Sequence, residues 1–159
     1  MPGQNLTREE AAARADLVTV KNYDVVLDLS GAADPAQETF RSTTTVQFSI
    51  GSAEPAGPGE PAESAGSDAA TFIDLVAPRV HSIVLNGREL DPAEVYVDSR
   101  IVLADLMADN ELTVVADCAY MHTGEGLHRF TDPADSETYL YTQFEVPDAR
   151  RVFAVFEQP

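Results

Sequence analysis

Positive charge is what this chain has least of. Ten basic residues stand against 27 acidic ones in 159 residues, a formal charge of −17. That balance opposes nonspecific association with DNA, RNA or anionic lipid, so nucleic-acid and membrane partners are excluded. The surplus is compatible instead with steering cationic groups toward the protein, or with life at high salt. Cys118 is the single cysteine, which rules out an intrachain disulfide and with it a staple-built secreted scaffold. The opening MPGQNLTREEAAARADLVTV has no basic leader followed by an apolar segment, and no stretch approaches transmembrane length. Cytoplasm is the default expectation. There is no HExxH helix, phosphate-binding glycine motif or nucleophile elbow, so the isolated chain has no identifiable catalytic engine.

What is present is period-two patterning. The N-terminus first offers one short helix, with Thr7 as cap, Glu10 at the reciprocal capping-box position and the helix-forming EAAARA behind it, ending near Asp16. From Val18 the pattern alternates, with Tyr23, Val25, Leu27 and Leu29 on one face and Asp24 and Asp28 on the other. Phe40, Ser42, Thr44, Val46, Phe48 and Ile50 repeat it. These two segments are expected to be strands over a common core. Residues 51–70, GSAEPAGPGEPAESAGSDAA, then contain no aromatic, Leu, Ile or Val and cannot offset the entropy of ordering. No Lys or Arg occurs between Arg41 and Arg79, so self-repulsion extends this segment. It reads as a flexible acidic insertion within one domain spanning residues 1–159.

Strand-like sequence resumes at 71–76, 81–85, 95–103 and 111–120. Asn86-Gly87 predicts a tight turn with a short return through Leu90, because both residues tolerate positive φ. Asp91-Pro92 predicts a second turn, and Leu103 to Asn110 a helical turn or loop. Segments 139–145 and 151–156 are candidates for the last strands. Many short strands without alternating long helices predict an all-β fold, an antiparallel β-sandwich or saddle-like curved sheet with a short N-terminal helix.

Cys118, His122 and His128, with Asp132 nearby, carry metal-compatible atoms, but their spacing matches no strong zinc framework. Cys118 ends an alternating strand and reads as a small buried hydrophobe. Residues 123–130, TGEGLHRF, are expected to be a glycine-rich turn anchored by Leu127 and Phe130, with a ligand loop as the alternative. Alternation places Gln143 and Glu145 on one strand face, with Phe144 opposite. Gln143 supplies a donor and an acceptor, and Glu145 can pair with a cation. By itself the pair fits an ordinary polar sheet face as well as a ligand site.

Several segments in a fixed order carry further information: Leu6 to Ala11, Thr39 to Thr44, Phe72 to Leu75, Ala116 to Cys118, Gly124 to Phe130, and Thr142 to Pro159. Together they resemble the N-terminal β domain of the aminopeptidase N family of zinc metallopeptidases, in its actinobacterial form, over nearly the whole chain. The resemblance implies a saddle-like β structure packed on a zinc-containing catalytic domain, in cis or as a separate chain. It implies substrate-binding roles for Gln143 and Glu145 as the pair of the family's TQxE segment. Glu145 would receive the free α-ammonium of a peptide N-terminus and Gln143 would bond the first residue.

The chain departs from the resemblance at Val155 and Glu157, where relatives commonly carry cysteine and aspartate, and in the length of its acidic insertion. The family's GxMEN loop and HExxH zinc helix do not occur in it. Zinc is therefore implied for the intact parent enzyme, with no cofactor, metal ligand or catalytic residue expected in this chain, which should be inactive alone. The competing expectation is a noncatalytic β-sandwich adaptor that binds protein; a small metalloprotein built on Cys118, His122 and His128 is the third. Without a covering catalytic domain, the apolar groups around Phe153 and Phe156 are expected to be exposed and to promote self-association.

Overall fold

A computed structural model describes residues 6–51 and 70–157. The acidic segment therefore lies outside the described residues except for its two ends, as do Gln158 and Pro159. The fold is all-β, built from antiparallel pairings without a closed barrel, and begins with one short helix. Helix α1 (Arg8–Leu17) has the expected capping box, with the Thr7 side chain accepting from the Glu10 N–H and the Thr7 N–H donating to the Glu10 carboxylate.

Five strands form the main sheet: β1 (Val18–Asp28), β2 (Thr39–Ile50), β4 (Arg79–Leu85), β5 (Arg88–Leu90) and β8 (Asp109–Ala119), in the order β1-β2-β8-β4-β5. A three-stranded sheet, β3-β7-β6, comprises β3 (Thr71–Asp74), β6 (Tyr96–Val97) and β7 (Arg100–Leu103). Between β5 and β6 lies a single helical turn, α2 (Pro92–Val95), capped by the Asp91 side chain. The third sheet is a hairpin of β9 (Leu127–Thr131) and β10 (Thr138–Thr142).

The pleat of the long strands places the core. Phe40, Thr44, Val46 and Phe48 of β2 face the same way as Cys118, Val114, Leu112 and Asn110 opposite them on β8, and all are buried. Ile83 and Leu85 of β4 extend that surface, and Ile73, Ile101, Leu103, Val152, Ala154 and Phe156 close over it in one cluster. The alternation in β1 changes phase midway. Val20 pairs with Phe48 and Asn22 with Gln47, so Lys21 is the extra residue of a β-bulge. The bulge lets even-numbered Val18 and Val20 and odd-numbered Tyr23, Val25 and Leu27 face the same core.

Three local expectations need correction. Residues 95–103 are not one strand: Asp98 and Ser99 have φ of 51° and 64° and reverse the chain between β6 and β7, as two-residue hairpin turns require. Asn86 and Gly87, at 52° and 78°, make the expected turn in the same way. Residues 127–131 form a strand rather than a turn, because Arg129 turns inward: its Nη1 donates to the carbonyls of Asp34 and Gln37 at 3.2 and 2.6 Å, with the guanidinium over the Tyr120 ring. Finally, 151–156 is a 3-10 turn (Ala149–Arg151) followed by a single bridge from Val155 to Asp74. That segment is held by the sheets it crosses, as Ala154 N–H donates to Thr44 Oγ1 and Phe156 N–H to the Tyr23 hydroxyl.

Helix α1 is tied to β3 and β7 by ions. Arg14, buried, donates to Asp74 Oδ2 at 2.7 Å and to the Glu157 carbonyl. Arg100 grips the Glu10 carboxylate with two nitrogens, at 2.8 and 3.3 Å. Both guanidinium groups lie against the Phe72 ring, an arrangement suited to a planar cation. Arg100, together with the Thr7 N–H, holds the Glu10 carboxyl down at about 2.

A candidate peptide-facing turn

Strand β10 ends at Thr142, so Gln143, Phe144 and Glu145 continue beyond the hairpin as an irregular segment. This corrects the expectation of a strand to Glu145. All three side chains are exposed. The segment closes in a turn in which Asp148 N–H donates to the Glu145 carbonyl at 2.6 Å, around a cis Val146–Pro147 peptide, the arrangement of a type VI turn. The 3-10 turn at Ala149–Arg151 follows.

Two features support this turn from behind. Phe144 packs edge-on against Phe153, whose ring in turn meets Tyr23 of β1. Arg151 reaches Glu125 at 3.0 Å and Asp148 at 3.7 Å, joining the glycine loop to the turn. Gly126, at φ 59°, lies so close that a Cβ there would sit 2.9 Å from that of Arg151, which explains why no side chain occupies the position. Arg150 is buried, and its carbonyl accepts from Val76 N–H. Both arginines thus engage their own chain. The sequence marks residues 123–130 only as a glycine-rich turn; the closeness of Gly126 to Arg151 is set by a contact between segments distant in the chain.

The candidate metal residues are not brought together. Cys118 faces the core opposite Phe40, and burial pushes its thiol up to about 12. His122 and His128 flank the glycine loop instead, with ring centroids 6.3 Å apart. His122 Nδ1 lies 2.9 Å from the Arg129 carbonyl, and His128 Nδ1 accepts from Gly124 N–H while its ring stacks on Tyr141. Among the described residues no group of three or more His, Cys, Asp or Glu is placed to hold a metal ion. Nor is any described helix long and apolar enough to cross a membrane.

The expected exposure of Phe153 and Phe156 is also corrected. Phe156 is buried against Phe48, and Phe153 is half-covered between Tyr23 and Phe144. The exposed large apolar groups near the turn are instead Phe130, Tyr139, Tyr141, Phe144 and Val146.

No family model matches the chain. Over 160 residues it is 59% identical to aminopeptidase N of Streptomyces lividans, a match that covers the whole chain but 17% of that protein. The fold is shared with solved structures at low identity. Aminopeptidase A of Legionella pneumophila, solved in complex with aspartic acid, superposes with a TM-score of 0.60 at 14% identity, covering 87% of this chain and 14% of that one. Leukotriene A4 hydrolase of Saccharomyces cerevisiae gives 0.60 at 16% identity, over 89% and 21% respectively.

Proposed function

We propose, from the premise that this chain is a mostly-β domain homologous to the aminopeptidase N family, that it recognises the free N-terminus of a peptide for a catalytic part lying elsewhere in a longer protein. The observation that carries the reading is the exposure of Gln143 and Glu145 on a turn braced from behind, in a chain closely similar to an aminopeptidase N.

Glu145 offers a carboxylate to an α-ammonium, and a charge-assisted hydrogen bond of that kind has no counterpart for an internal peptide amide. Gln143 offers a donor and an acceptor to the first residue's backbone. Arg151 is occupied by Glu125 and Asp148, so its charge is balanced on its own side of the turn. Fixing the amine fixes where the first peptide bond lies, which lowers the entropic part of the barrier for whatever group attacks it. Among the described residues no group of three or more His, Cys, Asp or Glu is placed to hold a metal ion, and on this reading zinc would be held by the other part of the longer protein.

The test is hydrolysis of an unblocked chromogenic amino-acid amide, with zinc, by the 159-residue chain and by the same chain joined to its genomic downstream segment. Activity in the joined form alone is expected. Glu145→Ala should then lower kcat/KM roughly 10- to 100-fold, the worth of one hydrogen bond to a charged group. Unchanged efficiency would remove Glu145 from recognition, and inactivity of both forms would move the reading to a protein-binding adaptor.

A further inference from the structure

The two histidines beside the glycine loop are hydrogen-bonded in opposite senses. His122 Nδ1 faces the Arg129 carbonyl at 2.9 Å, and a carbonyl only accepts, so this nitrogen carries a hydrogen. His128 Nδ1 accepts from Gly124 N–H at 3.0 Å, so this nitrogen is bare. Protonation therefore has different results at the two rings. An imidazolium carries a hydrogen on both nitrogens: the His122 bond survives, whereas His128 turns a donor toward the Gly124 N–H and its bond is lost.

The ring and the loop are not equally free to yield. His128 stands opposite Tyr141 in the β9–β10 register and stacks on it, with ring centroids 4.7 Å apart. A cationic ring keeps that contact, because the face of a phenol attracts positive charge. On the other side β9 is fixed by Met121, whose N–H donates to the Leu127 carbonyl and whose carbonyl accepts from Arg129 N–H. The glycine loop has more room: a Cβ built on Gly124 would meet no atom within 4 Å. Facing the ring are the Tyr141 phenol from β10 and the His122 ring, 6.3 Å away between centroids. The glycine loop brings Glu125 and the 3-10 turn brings Arg151, which pair at 3.0 Å. Arg129 points to the opposite side of β9, into the interior.

The Glu125–Arg151 pair joins the loop to the turn. Arg151 also reaches Asp148, whose N–H donates to the Glu145 carbonyl at 2.6 Å. We infer that His128 is an acid-sensitive latch of the glycine loop. As the free base it closes residues 124–128 and holds Glu125 against Arg151; as the cation it opens the loop and withdraws that brace from the 143–148 turn. Histidine is the side chain that changes charge between about pH 5 and about pH 8, so the loop is closed at the upper end of that range and opens as pH falls. The latch stands on the geometry of the chain itself, and its consequence for peptide recognition rests on the function proposed above.

Amide exchange of the 159-residue chain, expressed as protection relative to the intrinsic rate at each pH, tests the latch. Protection of the Gly124 amide should fall roughly tenfold from about pH 8 to about pH 5, the worth of one hydrogen bond. The Arg129 amide, bonded to the Met121 carbonyl, should stay protected and report that the hairpin remains folded. His128→Asn offers an acceptor oxygen at the same branch of the side chain and does not titrate, so it should keep Gly124 protected at both ends of the range. His122→Gln should keep the wild-type fall. An unchanged Gly124 amide in wild type would overturn the inference, as would a fall that persists in His128→Asn, disappears in His122→Gln, or is matched by loss of protection at Arg129. In the chain joined to its downstream segment, kcat/KM for a free-amine substrate should decline less toward acid in His128→Asn than in wild type. Equal declines would overturn the coupling of the loop to the turn. A joined form inactive at every pH would remove the peptide reading, and the Gly124 result on the chain alone would still decide the latch.

Discussion

The face where β2 and β8 meet the ion cluster of α1, and the face presented by β9, β10 and the 143–148 turn, treat their side chains in opposite ways. On the first, apolar groups are enclosed and charges are paired: Phe48 has no exposed surface, and Arg14 and Asp74 meet in nearly complete burial. On the second, aromatic groups of comparable size are exposed, and the edge of β10 away from β9 pairs with no other described strand. Among the described residues the first face is covered by its own chain, whereas the second is not. Residue types that are enclosed on the first face thus stand in solvent on the second, and composition alone does not separate the two settings.

Substitution should expose that contrast. Phe48→Ala should destabilise by about 3–5 kcal/mol, because it opens a cavity in a packed interior, whereas Phe144→Ala should stay within about 1 kcal/mol, as it removes only an edge contact with Phe153. Denaturant midpoints for the two variants make the comparison, and equal losses would break it. Asp74→Ala comes next: leaving Arg14 buried without its carboxylate should cost about 3 kcal/mol, measured in the same way. Glu145→Ala, on the other face, should not move the midpoint at all.

A smaller effect follows from Glu10. Its carboxyl is depressed in the folded protein from 4.5 to about 2, first by its bond to Arg100 and then by the Thr7 N–H. A depressed folded value means that the stabilisation is present above the unfolded value and lost as pH falls through the folded one. Wild type should therefore exceed Glu10→Gln in stability at neutral pH, and the gap should close between pH 4.5 and about 2. A pH-independent gap would mean that the cap, not the ion pair, is what Glu10 contributes.

The sequence was informative wherever structure is local or periodic. The α1 capping box, the Asn86-Gly87 turn and the alternation of β2 and β8 follow from spacing, and they stand as expected. It was less informative where distant segments decide. Nothing near Arg129 in the chain indicates that it enters the interior to hold the carbonyls of Asp34 and Gln37, and without that, 127–131 reads as a turn. The Asp98-Ser99 reversal escaped because neither residue is a glycine, so the positive φ had no obvious marker. Gln143 and Glu145 were legible as residue types in a family-like segment. Their placement past the end of β10 was not, because the turn that ends the strand is fixed by its packing on Phe153 and Arg151.

Lys21 has a consequence for how the chain tolerates a change of length. Because it is the surplus residue between Val20 and Asn22, its removal would leave a strand of strict alternation from Val18 to Leu27, with Val18, Val20, Tyr23 and Leu27 still directed inward. The loss would be one surface ion pair with Asp109, worth less than about 1 kcal/mol. Removing Asp24, three residues on, would instead turn half of the strand inside out. The two deletions lie three codons apart and differ in whether half of the strand turns over, and thermal melts of the pair would read that difference directly.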